Sequence, residues 1–531
     1  MTLHYDVIII GTGAGGGTMA HQLASTGKRI LILERGDFLP REKENWDPVE
    51  VYQKGRYYTD SETWIDKEGE EFNPSTCYWV GGNTKVYGAA LLRLREEDFD
   101  TVQHQDGVSP AWPLGYSDFA PHYDEAEKLF DVHGQRGEDP TEPFRASEYP
   151  YAPVRHEPAM QAIADSISQQ GYNPFHLPVG LKLNEVDQTL SQCIRCDTCD
   201  GYPCLVEAKA DSEINCIRPA QKLENVTLLT GATVKQLHTS PSGREITAVR
   251  TEVNGKEQLF SADIVVVACG AINSAALLLR SASDQHPNGL ANGSDQVGRN
   301  FMKHLSSAIV ALSAKPNPAV FQKTIGFNDF YWGEPDFPYP MGMVQNTGSV
   351  KGGMIPAEVP PLLAPFVKVT PGNVLDVLAA HSTGWWLQTE DLPDPSNRVR
   401  VVNGQVHLDY TPNNIEARDR LLHRWTDVLK TIDKNTKHVV PFGLYPRNIM
   451  PLAAVGHQCG TCRFGTDAST SVLDLDCRTH DVDNLYVVDG SFFPSSSGVN
   501  PTLTIIANAI RVAEHLKQRL NVHSEHELLH V

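Results

Sequence analysis

The run Tyr5-Asp6-Val7-Ile8-Ile9-Ile10, passing straight into Gly11-Thr12-Gly13-Ala14-Gly15-Gly16, restricts what this chain can fold into more than any other segment. A β-branched run of that length suits a strand buried on both faces, and the glycines turn the chain at its end. Beyond the turn, Met19, Ala20, Leu23 and Ala24 recur at helical spacing over 18–26. Gly27 suits the position just past a helix end, and Arg29 to Leu33 predicts a second strand closed by Glu34. The result is a βαβ unit. Gly11, Gly13 and Gly16 fit G-x-G-x-x-G, in which the first allows a tight turn, the second lets a pyrophosphate reach the backbone, and the third lets helix and strand pack closely. Glu34 then stands where a carboxylate accepts hydrogen bonds from the ribose hydroxyls of an adenine dinucleotide, and its charge disfavours NADP.

At 531 residues the chain has room for two to four structural units. Strand-then-glycine signals return at Asn225 to Leu229 leading into Thr233-Val234, and at Ala262 to Ala268 leading through Gly270 into a helical pattern, Ser274 to Arg280. They return again at Leu485 to Gly490. Joined to the first unit, these predict a dinucleotide-binding domain discontinuous in sequence, over 1–100, 200–300 and 450–531, with Val234 against the cofactor. The segments 101–199 and 301–449 are richer in proline, tryptophan and loops and predict a second domain that binds substrate and caps the cofactor. Within it, Asn346 to Pro361, with Gly348, Gly352, Gly353, Pro356, Pro360 and Pro361, reads as a lid or as an ordinary surface connection.

Charge narrows the partners. Lys plus Arg is 45 against 65 Asp plus Glu, a formal net charge of −20 that repels nucleic acid and anionic membrane surfaces. The longest mostly apolar run, Ile264 to Leu279, is broken by Gly270, Asn273 and Ser274 and is too short to cross a bilayer. With no positively charged leader before Val7, the expectation is a cytoplasmic protein with neither a nucleic-acid nor a membrane partner.

Near the C-terminus, Gly456-His457-Gln458-Cys459-Gly460-Thr461-Cys462 sets a histidine among glycines, where backbone can approach a ligand, although isolated histidines are often structural. Asn500-Pro501-Thr502 opens the amphipathic pattern Leu503 to Leu516. The free N–H groups and partial positive charge of such a helix start suit a developing anion, such as the N1–C2=O edge of a reduced flavin. Asp489, at a strand end, is placed to meet a ribityl hydroxyl or to cap a turn. Taken with the N-terminal fingerprint and Glu34, the motifs Val80-Gly81-Gly82-Asn83, Val297-Gly298-Arg299-Asn300, His457 to Thr461 and Val488 to Thr502 resemble the glucose-methanol-choline (GMC) oxidoreductases. Gly81 to Ala90, Trp112-Pro113-Leu114 and the cysteine-rich segment are most similar to the bacterial pyranose oxidase and glycoside 3-oxidase branch.

The resemblance implies an α/β fold. It consists of a Rossmann-like FAD-binding domain of the GMC/p-hydroxybenzoate-hydroxylase type and a discontinuous α+β substrate domain built on an antiparallel sheet. It implies FAD as cofactor, held by Gly11, Gly13, Gly16, Glu34, Gly82, Asn83, Val234, Asp489, Gly490, Asn500, Pro501 and Thr502. His457 is the implied base, and Asn500 stands where relatives carry Asn or His. Val86 occupies the register at which some members attach FAD through histidine, so noncovalent FAD is expected. The implied reaction oxidises a ring hydroxyl of a sugar or glycoside, at C3 or C2, to a keto-sugar. Hydride passes to flavin N5 and reoxidation is by O2, giving H2O2, or by a quinone. Trp386 and Gln388 are the candidate sugar-pocket wall, against the alternative of two core tryptophans, Trp385 and Trp386, on a strand.

Two rivals remain at this level: a flavin electron carrier without alcohol chemistry, and a flavin disulfide reductase using the C-x2-C pairs. Cys193-x2-Cys196-x2-Cys199-x4-Cys204 invites an iron–sulfur or zinc reading, but its last gap and the position of Pro203 depart from ferredoxin spacing, and it lacks two separated zinc pairs. A thiol-rich loop near the cofactor, able to hold a disulfide, fits better, and no metal is expected.

Overall fold

The computed structural model describes residues 3–58, 62–74, 76–358, 364–436, 445, 447–454 and 456–522. The first strand, Leu3–Ile10, lies at the centre of a seven-stranded sheet. It pairs in parallel with Ile30–Leu33 on one side and with the second half of Lys256–Val267 on the other. Val226–Leu229 extends the sheet in parallel beyond Ile30–Leu33. Along its other edge the long strand Lys256–Val267 is antiparallel to Ile246–Val253 in its first half and parallel to Leu485–Val487 in its second. Ala232–Thr239 closes that edge. Val7 to Ile10, Ile30 to Leu33 and Val265 to Val267 are buried throughout, because helices and loops cover both faces.

The crossover helix starts earlier than its apolar spacing indicates. It spans Ala14–Ala24 and not 18–26, since Ala14 to Gly17 carry almost no side chain and the chain winds directly out of the turn, the Gly17 N–H donating to the Gly13 carbonyl at 2.8 Å. Its buried Met19, Ala20 and Leu23 face the helix Thr502–Arg519, whose own buried stripe includes Leu503, Ile506, Ala507, Ile510 and Ala513. The C-terminal helix is thereby clamped beside the glycine turn.

A second sheet, entirely antiparallel, runs Arg447–Ile449, Leu305–Leu312, Ser382–Thr389, Met343–Asn346, Ile325–Phe327, Phe175–His176. The two-residue period of its strands divides its faces. Ile309, Val344, Trp385 and Leu387 enter a core with Trp425, Leu421 and Leu429 of the helix Ile415–Thr436. The opposite face carries Asn448, Ala308, Trp386, Gln345 and Gly326 in one cross-strand row, as the register requires. A four-stranded sheet joins Trp64–Asp66 and Glu71–Phe72 to the hairpin 398–409. Of the expected lid, Asn346 ends a strand, Gly348 donates to Asp200 at 3.4 Å and Gly353 accepts from Gln53 at 2.8 Å, while 359–361 lie outside the described residues. No helix among the described residues is long and apolar enough to cross a membrane.

At Gly11, φ is +98° and an added Cβ would lie 2.4 Å from the Ala268 carbonyl oxygen; one at Gly16 would lie 2.1 Å from the Gly11 carbonyl oxygen. Both neighbours are backbone just past the ends of the central strands and have little room to give. Gly16→Ala is therefore expected to destabilise the protein by roughly 1–3 kcal/mol, read as a lower midpoint in denaturant unfolding; an unchanged midpoint contradicts this packing.

Candidate active site

A cavity of about 1010 Å3 lies between the glycine turn and the polar face of the antiparallel sheet. That is the upper end of ordinary ligand pockets, room for a dinucleotide together with a small substrate. Its lining includes Gly11, Gly13, Glu34, Gly82, Asn83 and Val234. Asp489, Gly490, Asn500, Pro501 and Thr502 line it from the C-terminal segment, with His457, Trp386 and Gln345. Gly16 does not line it; its part is the close packing already described.

The cofactor end passes a direct test of fit. An added Cβ at Gly13 meets nothing within 4 Å, so the space above the start of the helix Ala14–Ala24 is open, and no side chain caps that helix. A pyrophosphate fits there, against free N–H groups and the positive helix end. Glu34 is buried and accepts from the Thr12 N–H at 3.1 Å, the Thr12 hydroxyl at 2.6 Å and the Gly36 N–H at 2.9 Å. Burial pushes its pKa up against these three hydrogen bonds. One acceptor site of its four is left for a ribose hydroxyl. The Asp489 carboxylate, in contrast, is filled by protein donors: the Gly270 N–H at 2.9 Å, the Ser491 N–H at 2.9 Å, and the Ser274 and Ser491 hydroxyls. It caps the turn Gly490–Phe492 and ties it to the start of the helix Ala271–Arg280. Asn83 accepts from the Cys77 N–H at 3.1 Å.

The other end of the cavity is organised by a histidine that motif reading missed. His304, fully buried, has its Nε2 at 3.1 and 3.0 Å from the carbonyl oxygens of Ser496 and Ser497, and its Nδ1 at 3.0 Å from Nδ1 of His457. Carbonyls only accept, so Nε2 of His304 carries the proton. Burial lowers its pKa to about 4, so the ring is neutral and its Nδ1 is a bare acceptor. His457 must then donate from Nδ1, which leaves its Nε2 lone pair for the cavity. Burial, then His304, Lys323 and Lys303, hold the His457 pKa well below the usual imidazole value. His304 and Ser497 both sit at positive φ, +63° and +55°, a cost of roughly 1–2 kcal/mol each that the surrounding contacts sustain. Those contacts come from the end of the strand Ser382–Thr389: Glu390 accepts from the Ser497 N–H at 3.1 Å, and the Asp391 carbonyl accepts from the Ser496 hydroxyl at 3.0 Å. The only sequence signal for His304 is its place four residues after Asn300 of the Val297-Gly298-Arg299-Asn300 motif.

The sheet period separates the two tryptophans: Trp385 is core and Trp386 is cavity wall. Gln388 corrects the expected pocket wall. It is sealed from the cavity, donating from Nε2 to the Gly498 carbonyl at 3.2 Å, because it sits one step farther along the strand, beneath the serine loop, residues 495–498. Gln345, opposite Trp386, lines the cavity in its place. All ten cysteines are thiols, and no group of metal-binding side chains is present among the described residues. Burial pushes the Cys193 thiol up to about 11 and raises those of Cys459 and Cys462 further, which leaves them inert for disulfide exchange at neutral pH. The loop that contains Cys199 delivers Asp200 to the cavity wall, where it pairs with Lys323 at 2.7 Å.

Residues 5–306 match the N-terminal and 391–509 the C-terminal family model of GMC oxidoreductases. The chain belongs to the GMC oxidoreductase family. The GMC chain is 31% identical to 6'''-hydroxyparomomycin C oxidase of Streptomyces lividus, over 97% of its own length and 92% of the relative's. It is 30% identical to paromamine 6'-oxidase of Streptomyces fradiae, over 96% and 91%. Its fold matches pyridoxine 4-oxidase from Mesorbium loti with a TM-score of 0.67 at 18% identity, covering 98% of this chain and 100% of that one. These relatives do not carry the expected pyranose oxidase or glycoside 3-oxidase names. As a GMC oxidoreductase the protein is an FAD-binding flavoprotein acting on CH–OH groups.

Imidazole 15N NMR, with signals assigned through His304→Phe and His457→Asn, is expected to show His304 protonated at Nε2 and His457 at Nδ1. His457 should stay neutral from pH 8 to below pH 6.5. Lys303→Met removes a cation that disfavours the imidazolium, so the His457 titration moves to higher pH.

Proposed function

We propose that this GMC oxidoreductase oxidises a hydroxyl of a sugar or glycoside, with His457 as base and Asn500 as the partner of the reacting oxygen. FAD, when bound, would supply the acceptor for the hydride of the carbinol carbon and a route for two electrons to O2, giving H2O2, or to a quinone. The substrate O–H donates to Nε2 of His457, which takes the proton as the carbonyl forms; Asn500 holds the oxygen. The observation that carries this reading is the Nδ1-to-Nδ1 contact at 3.0 Å, which aims an imidazole lone pair into the cavity. An electron carrier has no use for such a group. Trp386, offering an aromatic face beside the amides of Gln345 and Asn500, suits the apolar face and hydroxyl edge of a pyranose.

The names of the relatives favour an exocyclic primary hydroxyl, oxidised to an aldehyde, over the C3 or C2 ring hydroxyl implied by the branch resemblance. A keto-sugar product identified by NMR favours the ring position. His457→Ala is expected to keep FAD and lose about 10^2–10^4-fold in anaerobic flavin reduction by the best of a panel of monosaccharides and glycosides. Reduction at the wild-type rate would remove His457 from the chemistry. Peroxide formed per substrate consumed distinguishes O2 from a quinone as acceptor.

FAD is held without a covalent bond in this reading. Val86 lines the cavity at the attachment register and has no nucleophile; nearby, the Thr84 hydroxyl donates to the Gly81 carbonyl at 2.6 Å and the Tyr87 hydroxyl to the Ala210 carbonyl. Acid precipitation should leave the yellow chromophore in the supernatant. A yellow pellet overturns this point.

A further inference from the structure

Gln345, an amide on the cavity face of the antiparallel sheet, touches Asn500. It sits in the strand Met343–Asn346, opposite Trp386 on one side and Gly326 on the other, and is 2% exposed. Its Nε2 donates to Oδ1 of Asn500 at 3.2 Å, while its own Oε1 is buried with no partner. The opposite arrangement, with both amides turned over, would instead bury the Gln345 NH2 group where Oε1 now has no partner. An orphaned donor is the rarer and costlier fault, because a carbonyl left with unfilled lone pairs is better tolerated. The bond therefore has a direction: from Gln345 to Asn500.

We propose that Gln345 is a positioning residue that sets the polarity of Asn500, so that Asn500 turns its Nδ2–H2 toward the substrate oxygen and keeps its carbonyl turned away. The proposal rests on the sugar-oxidation reading of the same site. A hydroxyl losing its proton to Nε2 of His457 leaves growing negative charge on oxygen, which an amide N–H stabilises and an amide carbonyl repels. His304 makes His457 an acceptor and Gln345 makes Asn500 a donor. Together they match the two faces of one hydroxyl group, O–H outward and lone pair inward.

Two substitutions and one direct observation test this. Gln345→Leu removes the donor and is expected to lower kcat about tenfold or more at every pH, with FAD content unchanged. Gln345→Glu keeps the size, but a carboxylate only accepts and so draws the Asn500 N–H2 to itself. Its kcat should be low at pH 8 and recover as pH falls toward 6, where the buried carboxyl takes up a proton and becomes a donor. The wild type, whose base stays neutral across this range, should not show that rise. Adding Asn500→Ala to Gln345→Glu should abolish the recovery. A merely structural role predicts losses without recovery at low pH; that result, or wild-type kcat in Gln345→Glu throughout, overturns the proposal. A neutron structure of the FAD-loaded protein reads the amides directly: deuterons on Gln345 Nε2 facing Asn500 Oδ1 support the proposal, and the reverse orientation overturns it. If no sugar reduces the wild-type flavin, the functional reading falls, and the neutron density alone still decides the polarity.

Discussion

Two carbonyl oxygens, those of Ser496 and Ser497, determine the chemistry available in this cavity. By accepting from Nε2 of His304 they select one tautomer of a buried neutral ring, and that ring selects the tautomer of His457. No charge is needed anywhere in this chain of hydrogen bonds. That matters because burial makes an imidazolium costly here, and a carboxylate in place of His304 would favour one. The arrangement keeps a base neutral and oriented without raising its affinity for protons at rest.

The rest of the structure can be understood as support for that geometry. The serine loop lies between the end of the strand Ser382–Thr389, through Glu390 and Asp391, and the start of the helix Thr502–Arg519. The helix in turn is packed against the crossover helix of the glycine turn. His304 leads into the strand Leu305–Leu312 of the antiparallel sheet, whose polar row also supplies Trp386 and Gln345. Strain at His304 and Ser497 is tolerable because both are pinned from several sides. Lys303 and Lys323 add positive charge near the pair, and Asp200 balances the second of them.

Local pattern made the nucleotide half of the molecule readable. An apolar strand, three glycines and an acid at the next strand end are all contained within 34 residues. The later parallel strands were legible for the same reason, since strands buried on both faces are continuous apolar runs. The antiparallel half was less so. Trp385 and Trp386 are chemically alike, and only the facing of the sheet makes one core and the other cavity wall. Gln388 shares the parity of Trp386 yet lies under the serine loop, which sequence spacing does not reveal. The branch expectation also drew on short motifs, whereas full-length similarity led to relatives named 6'''-hydroxyparomomycin C oxidase and paromamine 6'-oxidase.

By itself the sequence determined the βαβ nucleotide fold and the acid at the end of its second strand, because these depend on residue type and short-range sterics, while the candidate pair His457 and Asn500 came from the resemblance of their motifs to the GMC oxidoreductases. Only the tertiary structure brings that pair to the groups from which its polarity is argued. His304 and Gln345 each lie more than 150 positions from the partner they touch, His457 and Asn500. A hydrogen bond acquires its direction from where the remaining donors and acceptors lie, and those are brought together only when two sheets and a helix start close around one cavity.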